Sequence, residues 1–138
     1  MKCFICSLDE ITLGIPSKPI AQIISAPRVQ DALFASENGE GYISLPVLFQ
    51  KESVPAPHGI RLKDRGNGGS LVLLVPRIDT DMEIPEEEIR SLPDLVEKKL
   101  PCFSGVFFSE KGPVLVVDTE KLGALPVLKA GGMDPVPR

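Results

Sequence analysis

Two stretches decide the fold: Leu73–Pro93, LLVPRIDTDMEIPEEEIRSLP, and Cys102–Leu122, CFSGVFFSEKGPVLVVDTEKL. The second holds two apolar runs, Phe103–Ser109 and Val114–Thr119, around Glu110–Lys111–Gly112. Apolar runs separated by a short polar turn with Gly read as a β-hairpin. Asp118 follows as the cap of a final turn ending at Leu122, its side chain accepting from the next amides. In the first stretch, Leu71–Val75 is apolar throughout, so both of its faces are expected to be covered. The strand is read as running on to Ile78. Pro85 suits a first helical position, and Glu86–Glu88 put carboxylates at the positive end of a short helix or turn through Ser91. The residues between Pro93 and Cys102 read as a linker. Neither stretch sets a nucleophile beside a base.

Working outward, Cys3–Leu8 and Ile11–Ile15 flank Asp9–Glu10 as a second hairpin. Pro16 and Pro19 then interrupt the ladder, because Pro has no amide donor. Ile20–Ser25 resumes as a β-branched strand. Arg28–Glu40 reads as a loop with one helical turn, and Tyr42–Phe49 (YISLPVLF) as a strand. His58–Lys63 and the Leu71 strand flank a Gly-rich tip, Asp64–Gly69. Past Leu122 the chain is rich in Gly and Pro and reads as a tail over residues 123–138. Leu13–Ile24 (LGIPSKPIAQII) and Leu73–Ile84 (LLVPRIDTDMEI) are faintly alike, each with Pro at the same offset. Many short strands and two similar segments point to an all-β chain of two small lobes that close their edges.

The 138 residues suit one domain, and the 43% apolar content excludes disorder. No apolar run reaches the ~20 residues that span a bilayer, so no membrane insertion is expected. The start lacks the features of a signal peptide, which makes the cytoplasm the expected compartment. A net charge of −4 disfavours nucleic acid, which needs clustered cations. Only Arg61, Lys63 and Arg65 gather, and they read as a solubilised hairpin.

Several residue groups invite a chemical reading. Cys3 and Cys6 form a C-x-x-C, but residues three apart on a strand point to opposite faces and cannot share a metal. Asp79, Asp81 and Glu83 alternate on one strand face, which reads as solvated rather than as a Ca²⁺ or Mg²⁺ site. Asp79–Thr80 and Asp118–Thr119 resemble halves of a carboxylate dyad, yet neither is followed by Gly. His58, the sole His, has no Ser or Cys partner nearby. No catalytic, cofactor or metal residue is therefore assigned. The alternatives are a β-barrel hydrolase or metal enzyme using Asp79, Asp81 or Asp118, and a stand-alone ligand-binding barrel.

The order of elements resembles the CheW-like domain, the adaptor of bacterial chemotaxis arrays. The matching residues are Gly14–Ile15, Ile20 and Ile23, Ile43–Leu45–Pro46, Ile78, Ile84, Ile89 and Leu92–Pro93. Ser104–Gly105–Val106, Val114–Asp118 and Glu120–Lys121–Leu122 complete the set, so the resemblance covers residues 3–122. It implies two five-stranded, SH3-like barrels around a common core. It also implies a non-enzymatic scaffold that links a chemoreceptor's cytoplasmic tip to the regulatory domain of a histidine kinase. Such domains also pair with one another, and none takes a cofactor. Two partner-binding residues follow. Ile20 matches an apolar residue exposed near the inter-lobe groove. Glu40 stands in Asn38–Gly39–Glu40–Gly41 where the family usually has Asn-Leu-Arg-Gly, a charge reversal expected to alter partner choice with little effect on the fold.

Overall fold

The computed structural model describes residues 1–25, 32–37, 39–51, 53–63, 70–99 and 101–123. The expected Gly-rich tip at Asp64–Gly69, nearly all of the tail and, from the expected loop at Arg28–Glu40, Arg28–Asp31 and Asn38 lie outside the described residues.

Among the described residues, ten strands form two five-stranded sheets. β1 (Lys2–Leu8), β2 (Ile11–Pro16), β8 (Ile78–Glu83), β9 (Phe103–Ser109) and β10 (Gly112–Val117) make the first, in the order β8-β1-β2-β10-β9. β3 (Ile20–Ser25), β4 (Phe34–Glu37), β5 (Glu40–Ser44), β6 (His58–Leu62) and β7 (Ser70–Val75) make the second, in the order β3-β6-β7-β5-β4. The second lobe is thus one continuous segment inserted between β2 and β8 of the first.

The two faintly similar segments are the two crossings between lobes. Leu13–Ile24 leaves the first sheet at Pro16 and enters the second at Ile20. Leu73–Ile84 leaves the second at Pro76 and re-enters the first at Ile78. The expected single strand from Leu71 to Ile78 is therefore two strands in different sheets. Proline at each crossing removes an amide that the ladder would otherwise need.

The lobes repeat one another in finer detail. Each central strand makes a parallel pair, β2 with β10 and β7 with β5. Each of β5 and β10 ends at a helix cap. The Ser44 amide donates to Leu33 O at 2.9 Å, and the Asp118 amide to Cys102 O at 2.8 Å. Ser44 Oγ accepts from the Val47 amide, and Asp118 Oδ1 accepts from the amides of Glu120 and Lys121.

Ser44 opens α1 (Leu45–Leu48), which corrects the expected strand through Phe49. Pro46 sits in the first helical turn, where its missing N–H costs nothing. Phe34–Glu37 is a strand antiparallel to β5, where a loop with a helical turn was expected. Past β8, Pro85 caps a 3₁₀ turn at Glu86–Glu88 rather than starting a helix. The linker contains α2 (Asp94–Lys99), with Asp94 in its first turn and Lys98 and Lys99 in its last, as the helix dipole favours. None of its residues is buried, so it carries no apolar stripe by which to read it.

Among the described residues, three apolar clusters hold the chain. The largest takes Cys6, Leu13 and Ile15 from the first sheet and Ile43, Ile60, Leu73 and Val75 from the second, with Leu45 and Leu122 from the two capped turns. It is the common core of both lobes. The Phe49 and Phe103 rings meet across it with centroids 5.8 Å apart. Cys3, Ile5, Ile84, Val114 and Val116 fill the first lobe, and Val72 and Leu74 belong to the second. β7 serves two clusters by alternation, which is why its sequence is apolar throughout.

The first sheet is closed by the chain that follows β8. Arg90 pairs with Val106 of the far edge strand β9, through N–H···O bonds of 2.9 and 2.8 Å. Gly105 makes this approach possible: a Cβ there would lie 2.2 Å from Arg90 O.

Candidate partner-docking surfaces

Glu40 opens β5, next to β7 and one strand further from β6. Arg61 on β6 reaches across. Its Nε donates to Glu40 Oε2 at 2.7 Å and its Nη2 to Oε1 at 3.2 Å. Ser70 Oγ donates to Oε2 and Tyr42 OH to Oε1, both at 2.8 Å. Arg61 Nη1 donates to Gln22 Oε1 on β3 at 2.6 Å. One carboxylate thus accepts four hydrogen bonds, in a network that spans β3, β6, β7 and β5. The Arg61 hydrogen bonds chiefly, with help from Ser70 and Tyr42, hold the Glu40 carboxyl down to about 2 against the opposing effect of burial. The Glu40 side chain is only 16% exposed and that of Arg61 29%. The charge expected to face a partner is therefore largely spent inside the lobe.

Ile20 begins β3 immediately after the first crossing. It is half-buried and packs against the common core, opposite Leu62. Arg61 follows Ile60 and precedes Leu62, both in that core, so it projects from the other face of the sheet. Ile20 and Glu40 accordingly do not form one site. Ile23, three residues on, is 44% exposed on the edge strand.

Asp79, Asp81 and Asp118, the carboxylates considered for chemistry, are each engaged by separate partners. Asp79 accepts hydrogen bonds from Ser7 Oγ and Arg77 Nε, which lower its pKa in that order. Asp81 pairs with Lys2 at 3.5 Å. Asp118 caps the turn at residues 119–123. Cys3 and Cys6 enter different clusters, as alternation requires. Among the described residues, no group of three or more His, Cys, Asp and Glu could hold a metal ion.

A cleft of about 630 Å³ lies on the first lobe, between β8 and the β9–β10 hairpin. Ile5, Met82, Phe107 and Val114 supply its apolar wall. Phe108 stands at its edge, 61% exposed, and Gly112 turns the hairpin with φ of +122°. On the other side of Phe107 and Phe108 is a smaller depression bordered by Glu87, Glu88 and Arg90. Nothing in the sequence reading singled out these two phenylalanines. Their adjacency in a strand was the available signal, since neighbouring strand residues face opposite ways and one of a Phe-Phe pair must face outward.

Among the described residues, no helix is long and apolar enough to cross a membrane. No family model matches the sequence, and no curated protein matches it. The solved structure of the scaffolding protein TtCheW from Thermoanaerobacter tengcongensis is similar, with a TM-score of 0.67 and 14% identity. The match covers 84% of this chain and 82% of that one. At that identity the shared property is the architecture: two five-stranded lobes around one core, the fold of the CheW scaffolding protein.

Proposed function

We propose that this chain is a divergent, non-enzymatic CheW-like adaptor of chemotaxis-type signalling, working in the cytoplasm. It would link a chemoreceptor's cytoplasmic tip to the regulatory domain of a histidine kinase, and pair with other CheW-like domains. The observation that carries this reading is the two-lobed architecture shared with a scaffolding protein over most of both chains. The functional unit would be residues 1–122, with 123–138 a tail.

The mechanism follows from surface chemistry. Ile20, where the chain passes between lobes, would line the groove that takes a receptor helix. Burial there yields roughly 25 cal/mol per Å², less the cost of association. The Glu40–Arg61 pair would act on partner choice more than on affinity, because charges at an interface mainly set specificity. With Glu40 committed to Arg61, the contact would be made by the pair as a unit.

The test is binding of the purified chain to receptor tip fragments and kinase regulatory domains encoded beside it. Binding to both, weakened by Ile20→Ser in a variant whose circular dichroism is unchanged, supports the adaptor. No binding to either would retire it.

A further inference from the structure

The Phe107–Phe108 ridge lies away from Ile20 and Glu40, on the other lobe. Phe107 is half-buried and packs on the first lobe's cluster, which anchors the strand. Phe108 turns 61% of its surface outward. A depression flanks the ridge on each side, and both have charged rims. In the larger one, Arg77 is committed to Asp79. Glu83 is committed to the N-terminal ammonium of Met1, which leaves Glu110 and Lys111 on that rim, one of each sign. The smaller one carries Glu87, Glu88 and Arg90. Carboxylates thus outnumber cations on the side of Glu87 and Glu88, while the larger side is balanced. Glu87, Glu88 and Glu110 make no ion pair among the described residues.

We propose that this ridge docks a cationic amphipathic segment of a partner protein. An apolar side chain of that segment fills the cleft beside Met82 and Phe107. Its Lys or Arg stems lie along Phe108, with their charged heads at the carboxylates. The chemistry suits that occupant on three counts. Long basic side chains cover apolar surface with their stems while the heads stay at the rim. A cation over an aromatic face is attracted by the ring quadrupole. Opposite net charge steers the encounter.

The experiment uses the full chain and a fluorescently labelled amphipathic helix of Leu and Lys. The control is a peptide of equal charge with Ser in place of Leu. Anisotropy titration is expected to show binding of the first, and at least about tenfold weaker binding of the second. Phe108→Ser, and separately the double variant Glu87→Lys with Glu88→Lys, should each weaken the Leu/Lys peptide about tenfold or more, the size of losing one anchor. Both substitutions are at exposed positions, and a control at Ile23→Ser on the other lobe should bind as the parent does. Equal affinity for both peptides would reduce the effect to bulk charge and overturn the proposal. So would a concentration-dependent dimer abolished by Phe108→Ser, which would assign the ridge to a second copy. The proposal is independent of the adaptor reading: receptor and kinase binding intact in Phe108→Ser is compatible with it, and its failure leaves that reading standing.

Discussion

Arg61 and Glu40 form a two-point contact, Nε to Oε2 at 2.7 Å and Nη2 to Oε1 at 3.2 Å, across the β7 strand that separates them. The pair belongs to the fold as much as to any interface. That changes the expected consequence of charge reversal at residue 40. Glu40→Arg sets two guanidiniums together and strands Ser70 and Tyr42 without their acceptor. It should cost at least about 2 kcal/mol in urea unfolding, given what hydrogen bonds to a charged group contribute. Adding Arg61→Glu should recover part of the loss. A full cost in the double variant equal to the sum of the singles would show that the two residues are not coupled.

The same pair sets a pH dependence. Glu40 has its carboxyl lowered from 4.5 to about 2 in the folded chain. As pH falls below 4.5 the unfolded chain takes up the proton first, so acid favours unfolding. The contribution is complete above pH 4.5 and lost as pH falls toward 2. Urea midpoints of the parent and Glu40→Gln should converge over that window and stay apart above it. A constant separation from neutral pH down to the acid limit would contradict the assignment.

All three thiols should be inert in the folded chain. Burial pushes Cys3 up to about 11, and Cys6 and Cys102 up to about 12. At neutral pH almost no thiolate is present to attack a reagent. Cys3 and Cys6 also lie in different clusters, so they do not form a pair. A chromogenic disulfide reagent should modify none of the three rapidly under native conditions and all three in denaturant. Fast native labelling would show that one cluster opens.

Gly105→Ala should be severe. The added methyl meets Arg90 O at 2.2 Å and Ile89 Cγ2 at 2.9 Å. The first contact is with backbone, so relief means displacing the segment that closes the first sheet. Overpacking of this kind costs about 1–3 kcal/mol or more. Thermal unfolding should drop by several degrees, and amide exchange at Val106 and Arg90 should speed up. Unchanged protection of those two amides would mean that the closure is not held by this approach.

Much of the fold was legible because its signals are local. Alternation marked β2, apolar runs marked β9 and β10, and the turns at Asp9–Glu10 and Glu110–Gly112 marked their hairpins. The Asp118 cap was legible for the same reason, since donors and acceptor lie within three residues. Ser44 carries the same device. It was obscured because Leu45–Leu48 is apolar enough to read as strand, and both states bury such a run. β4 is four residues long and α2 has no buried face, so neither offers enough periodic residues to detect.

The candidate surfaces were less legible. Ile20 was named from its place in a family pattern, but its packing against the common core depends on the opposing lobe. Glu40 was identified, yet Arg61, Ser70 and Tyr42 come to it from three strands. The cleft at Phe108 exists only because β8 and the β9–β10 hairpin enclose it. Residue order by itself determined most of the strands, the turns of the β1–β2 and β9–β10 hairpins and how the two crossings resemble each other, since these rest on interactions among near neighbours. Tertiary structure alone decided that the second lobe interrupts the first, that β2 lies parallel to β10, and that Glu40 is neutralised from within. Those outcomes depend on which strand edges and which buried charges meet, and residues distant along the chain are brought together only when the core forms.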